Sequence, residues 1–137
     1  MSNPVVLPLK TVRNPRDLGG YIGFNGRKIK SHRLLRTGKI NGLSKHDEHF
    51  LLNYGVKKII DLRSPAECKK CTDEELPGVE HFDIPVSIED NTKGGSSNVT
   101  ATFARYRRDQ YAGFRMMCHR YRSHVEKPHA QHSFHKI

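Results

Sequence analysis

The apolar positions of this chain fall into short blocks punctuated by glycine, proline and polar residues, and the block from Val56 to Leu62 organises the rest. A run of Val, Ile and Leu of this length, entered after Gly55 and left before Pro65, predicts a buried strand. Strands of this composition belong to parallel sheets covered on both faces. The strand closes on a charged pair, Asp61 and Arg63. Ligands of open α/β sheets sit beyond the carboxyl ends of strands, so the pair reads as part of a binding site. An ion pair that merely closes the strand is the competing reading.

Other blocks take their type from spacing. Val5 to Leu9 is a brief apolar run, followed by Arg13-Asn14-Pro15-Arg16-Asp17-Leu18-Gly19-Gly20. Consecutive glycines mark a turn where backbone approaches something closely, either a ligand loop or an ordinary turn. Tyr21 to Lys30 reads as a hairpin turning at Asn25-Gly26, the dipeptide that tolerates the positive φ such a turn needs. Leu34 to Gly38 predicts a short buried strand.

Ser44 starts a helix, with Asp47 placed to satisfy first-turn amides; the helix buries Phe50, Leu51 and Tyr54 and stops at a left-handed cap on Gly55. A short helix from Pro65 to about Leu76 and a strand from Val79 to Val86 follow the central strand. The alternation predicts a layered α/β domain.

Residues 87 to 99 are polar and read as a mobile loop. A long helix is expected from about Thr100 to Val125, with Phe103, Tyr106, Phe114, Met117, Tyr121 and Val125 forming one apolar stripe for the core. Pro128 is expected to stop it. Residues 129–137, with His129, His132 and His135, form a histidine-rich tail in which Phe134-His135 resembles a strand end.

Composition narrows the picture. The 137 residues suit one domain, but only 35% are hydrophobic and none is Trp, which implies a thin core. Twenty-four Lys and Arg against 14 Asp and Glu leave a net charge of +10, so an anionic partner is favoured. The basic residues are dispersed and match no nucleic-acid motif, which disfavours nucleic acid. Three cysteines make no disulfide framework and point to a reducing cytoplasm. No apolar run is long enough to span a membrane, and the amino terminus lacks signal-peptide character.

Taken together, Arg16-Asp17-Leu18-Gly19-Gly20-Tyr21, Arg33-Leu34-Leu35-Arg36-Thr37-Gly38, the helix begun by Ser44, Ile60-Asp61-Leu62-Arg63-Ser64 and Ile84-Pro85 resemble bacterial tyrosine phosphatases of the atypical, dual-specificity-like class. The likeness runs from about residue 10 to 125; Pro15 departs from it, standing where an aromatic residue is usual. It implies a partial phosphatase-like α/β domain with a mainly parallel central sheet flanked by helices. The expected division is an incomplete domain over 1–128 and a tail over 129–137.

The family's chemistry lies in a later His-Cys-x5-Arg loop, whose helix N-terminus and arginine make the cysteine a thiolate and clamp the phosphate. Six positions after Cys68, Cys71 and Cys118 stand Glu74, Pro77 and His124, so no cysteine here has that partner. Lys136 occupies the place where the nucleophile is expected. The resemblance therefore implies a truncated or frameshifted copy, inactive as written. A non-catalytic binder of phosphorylated or other anionic partners is the alternative.

By position, the resemblance makes Asp61 the first candidate proton donor and Asp17 the second, with Arg16 and Arg63 binding substrate at the pocket rim. In the structural alternative Asp17, Arg36 and Arg63 pair to hold loops. No cofactor and no metal is expected. Cys68 and Cys71 have the spacing of half a zinc site, but no second pair at standard spacing accompanies them. The missing part of the fold is expected to leave apolar surface and a strand edge exposed, and so to favour homo-oligomers.

Overall fold

A computed structural model describes residues 5–87, 104 and 107–137. They fold as a mixed α/β chain in two compact units, Met1–Ile59 with Thr72–Glu80 and Ile60–Cys71 with His81–Ile137. In the first unit β1 (Val5–Val6), β2 (Arg16–Asp17) and β3 (Leu35–Arg36) make a three-stranded antiparallel sheet. Its register sets Val6 opposite Arg16 and Arg16 opposite Arg36.

The connection between β2 and β3 contains the expected hairpin. Ile22 bridges Lys28 in antiparallel fashion, and Asn25 and Gly26 both take positive φ, 61° and 70°. The preceding glycines are also explained: a Cβ on Gly19 would lie 2.5 Å from Ser31 Cα, and Gly20 has φ 85°. The close approach is to the chain's own backbone.

α1 (Lys45–Tyr54) is bounded as its sequence predicts. Ser44 Oγ accepts the Asp47 amide, and Gly55 adopts the left-handed cap with φ 93°. Its buried side chains, however, are Asp47 and Leu51, while Phe50 and Tyr54 are half-buried. With Leu51, the buried apolar residues Leu7, Val12, Ile40 and Leu76 complete this unit's core.

β4 (Lys58–Asp61) is shorter than the expected Val56–Leu62 strand, and Asp61 is its one buried residue. It pairs with β5 (Glu80–Asp83). Glu80 donates to Lys57 O, Ile84 to Asp61 O and Val86 to Leu62 O, so partners advance together and the pair is parallel. These two strands are the whole parallel sheet among the described residues, and β5 is exposed throughout. The expectation of a buried strand covered on both faces is thereby corrected.

α2 (Pro65–Lys70) ends well before Leu76. The chain leaves the helix at Cys71, and Asp73 and Glu74 turn to other partners: their carboxylates accept the amides of Ile40 and Leu43. Ser64 and Glu67 cap the start of α2 reciprocally.

The carboxyl-terminal part departs most from expectation. The predicted loop at 87 to 99 and the first turns of the long helix, with Phe103 and Tyr106, lie largely outside the described residues. Helix α3 spans Ala112–Glu126, because the Asp109 carboxylate accepts the Tyr111 amide and pairs with Arg115, interrupting any helix arriving from before it. The stripe expected to form core faces outward instead: Phe114 and Val125 are each 70% exposed, and Met117 and Tyr121 are exposed too. The more buried positions of α3 include Ala112, Arg120, Ser123 and His124.

Pro128 begins a helix as well as ending one. α4 (Pro128–His135) carries the proline in its first turn, where no amide is required, in place of the expected strand end at Phe134-His135. It is anchored through Pro85 O, which accepts from Ser133 Oγ at 2.7 Å and lies 2.9 Å from His129 Nε2. Ala130 and Ser133 are buried.

Candidate functional site

The candidate site grows from the end of β4. Extended backbone carries Asp61 inward, and three residues later the chain turns at Ser64 into α2. That turn folds Arg63 back over Asp61. Arg63 Nε lies 2.9 Å and 3.0 Å from the two carboxylate oxygens, its Nη2 donates to Oδ2 at 2.5 Å, and its amide donates to Oδ1 at 3.0 Å. The far side of the guanidinium donates to Cys71 O at 2.9 Å, tying the strand end to the last turn of α2.

This two-pronged pairing gives Asp61 its electrostatic state. Burial works against the charged carboxylate, but the Arg63 side chain and amide outweigh it and hold the group below the usual carboxylate range. Asp61 is therefore ionised at neutral pH. Cys68, one turn into α2, donates its thiol to Asp61 Oδ2 at 3.3 Å. Burial, with the negative charge of Asp61, pushes that thiol up to about 11. A thiol held in this way stays protonated near pH 7 and is a weak nucleophile.

Arg16 and Asp17 belong to the first unit, on β2. The Asp17 carboxylate is buried and accepts from the Gly19 amide at 2.7 Å, the His32 amide at 2.8 Å and Tyr54 Oη at 2.9 Å. Burial opposes its charge, and these donors prevail and keep the group below its ordinary value. The same contacts push the Tyr54 phenol upward, by burial first and then by bonding to Asp17. Arg16 Nη1 donates to Asn14 Oδ1 at 2.6 Å, and cross-strand pairing sets Arg16 against Arg36.

Of the four residues carried over by position, Asp61 and Arg63 are thus brought into one pair, and Arg16 and Asp17 are neighbours on a separate strand. Sequence reasoning missed three participants. The spacing of Cys68 and Cys71 points to half a zinc site, whereas Cys68 is a partner of Asp61; its position one helical turn after the Ser64 cap is the available signal. Tyr54 was assigned to the core, whereas its hydroxyl closes the Asp17 cluster and its ring stacks on His32 at 4.1 Å. Asp47 was read as a helix-start residue, although its carboxylate reaches back to Lys10 and Thr11.

A thiol, an imidazole and carboxylates also surround the ends of β4 and β5. Asp61, His81 and Asp83 place one ligand atom each within 4.8 Å of one another. No helix among the described residues is long and apolar enough to cross a membrane.

Comparison with known proteins bears on what this arrangement belongs to. Over 61 residues the chain is 39% identical to a protein of Cupriavidus necator named "Putative tyrosine-protein phosphatase". The alignment takes in 44% of this chain and 22% of that relative, so the match spans about a fifth of the relative's length. Residues 7–137 match the tyrosine phosphatase family, nearly the full chain, including α3 and α4. On that extent of agreement, the chain belongs to the tyrosine phosphatase family.

Proposed function

We propose that this chain is the phosphate-recognising portion of a phosphatase of the atypical, dual-specificity-like class, and that its 137 residues alone do not hydrolyse phosphoesters. The observation that carries the reading is the state of Cys68. It stands beside the acid–arginine pair, yet its thiol is pushed up to about 11 and no arginine follows six residues later. Attack on phosphorus requires a thiolate, and at Cys68 burial and the neighbouring Asp61 carboxylate outweigh the positive charge of Arg63 that would favour one.

The same geometry supports loop-holding roles for the carried-over acids. A proton donor must hold a proton at working pH. Asp61 and Asp17 are both kept ionised by their hydrogen bonds. Arg63 is engaged by Asp61 and Cys71 O, which supports its holding the turn into α2. Arg16 is better suited to meeting an anion: it stands opposite Arg36 on the adjacent strand, and two guanidinium groups so placed are relieved by negative charge. Phosphorylated proteins or other phosphoesters are the partners this chemistry selects.

The test is an assay of the purified chain with a generic aryl phosphate, with and without vanadate. No phosphate release above the buffer rate is expected. Turnover that is vanadate-sensitive and abolished by Cys68→Ser would overturn the proposal. The non-catalytic alternative draws on the Arg16–Arg36 pair and the net charge of +10. It predicts salt-sensitive binding of a phosphotyrosine peptide, weakened by Arg36→Gln.

A further inference from the structure

We propose that Asp61, His81 and Asp83, with Cys68 as the fourth donor, bind one divalent transition-metal ion of the zinc type. The parallel register makes the set. Because Ile84 donates its amide to Asp61 O, Asp83 stands directly opposite Asp61 on the neighbouring strand. His81 lies two residues earlier on β5 and so shares that face. Ligand atoms of these three residues lie within 4.8 Å of one another, and Cys68 Sγ lies 3.3 Å from Asp61 Oδ2.

The donors are one imidazole nitrogen, one sulfur and two carboxylates. Mixed sets of nitrogen, sulfur and oxygen in fourfold arrangement suit zinc or cobalt better than magnesium or calcium, which take oxygen alone. Metal bonds of roughly 2.0 to 2.3 Å put ligand atoms up to about 4 Å apart, so the set must contract slightly. His81 and Asp83 are exposed and can rotate inward.

Arg63 is compatible with this. Its Nε and amide hold Asp61 Oδ1, and Oδ2 turns from Nε, Nη2 and the thiol toward the ion. The Cys68 proton leaves to solvent as its sulfur takes the metal. Two carboxylates and one thiolate then face one divalent ion and one guanidinium, and the charges cancel. An outer guanidinium that orients a ligating carboxylate is a common supporting element of metal sites. The assignment stands on the geometry of β4, α2 and β5 alone and does not depend on the phosphatase reading.

The experiment uses the untagged full chain and Co²⁺ as a visible probe. The exposed histidines of α4 are a competing background, so the reference protein carries His132→Asn and His135→Asn. Expected are one bound Co²⁺ per chain, ligand-field bands of a four-coordinate ion and a thiolate-to-cobalt band that Cys68→Ser removes. His81→Asn and Asp83→Asn, both at exposed positions, should each weaken binding about tenfold or more. Circular dichroism confirms that each variant is folded. Absence of Co²⁺ binding by the reference protein, or affinity unchanged in both the His81 and Asp83 variants, overturns the proposal.

Discussion

Asp47 shows how a single buried carboxylate can tie distant backbone together. It is fully buried and accepts the amides of Lys10 and Thr11 at 2.9 and 2.7 Å and the Thr11 hydroxyl at 2.6 Å. Burial opposes its charge, but the Thr11 hydroxyl and the other donors hold the group far below the carboxylate range. Asp47→Asn keeps the shape and halves the accepting capacity, so the amides of Lys10 and Thr11 and the Thr11 hydroxyl are no longer all satisfied. The expected loss is about 2 kcal/mol or more in urea unfolding. The sign of the pH dependence follows from the depressed value: the stabilisation is present above an unfolded pKa of roughly 3.9 and is lost as pH falls toward the folded one. Asp17 and Asp61, also depressed, act in the same direction. Unfolding free energy should therefore drop as the pH is lowered below about 4, and less steeply in Asp47→Asn. Equal slopes in the two proteins would refute the assignment. The local sequence around Asp47 showed a helix start, but it held no sign of Lys10 and Thr11, whose contact is made only by the folded chain.

At the level of elements, the capped ends of α1 and the start of α2 were the most legible features and the faces the least. Ser44, Gly55 and the Asn25-Gly26 turn act as their residue types dictate, since capping and positive φ are satisfied within a few residues. The reciprocal cap of Ser64 and Glu67 obeys the same local chemistry. α2 has only six residues and little intrinsic stability, so it depends on this cap and on Arg63 holding Cys71 O. Ser64→Ala is expected to cost about 1 kcal/mol and to speed amide exchange in α2 more than in α1. Uniform acceleration across both helices would show that the cap has no local role. Pro128 was legible as a helix stop, but its second use as the opening residue of α4 depends on Ala130 and Ser133 finding cover and on Pro85 O receiving Ser133. The periodicity located the carboxyl-terminal end of α3, and yet the direction in which its stripe points is a property of what surrounds it.

For the molecule as a whole, the thin core expected from composition is distributed unevenly. Large buried apolar side chains, Leu7, Val12, Ile40, Leu51 and Leu76, all lie in the first unit, whereas the second buries Ala112 and Ala130 among its described residues. The second unit meanwhile exposes Phe114, Met117, Tyr121 and Val125 at steps of three or four along α3. An outward apolar stripe of this kind favours association, and we propose that the isolated chain self-associates through it. Light scattering should show an apparent mass rising with concentration, and Phe114→Ser with Tyr121→Ser should reduce it. A concentration-independent monomer would refute this.

What the amino-acid sequence determined by itself was local: where α1 begins and ends, where Asn25 and Gly55 take positive φ, and membership of the tyrosine phosphatase family. These depend on backbone preferences and on partners a few residues away. Tertiary structure alone decided that Asp61 is clasped by Arg63 and met by Cys68, that Asp17 is closed by Tyr54, that Asp61, His81 and Asp83 converge, and that the stripe of α3 faces outward. The reason is that the charge state of a carboxylate or thiol is set by burial and by donors brought from other elements, and a hydrophobic period specifies a face without specifying what it meets.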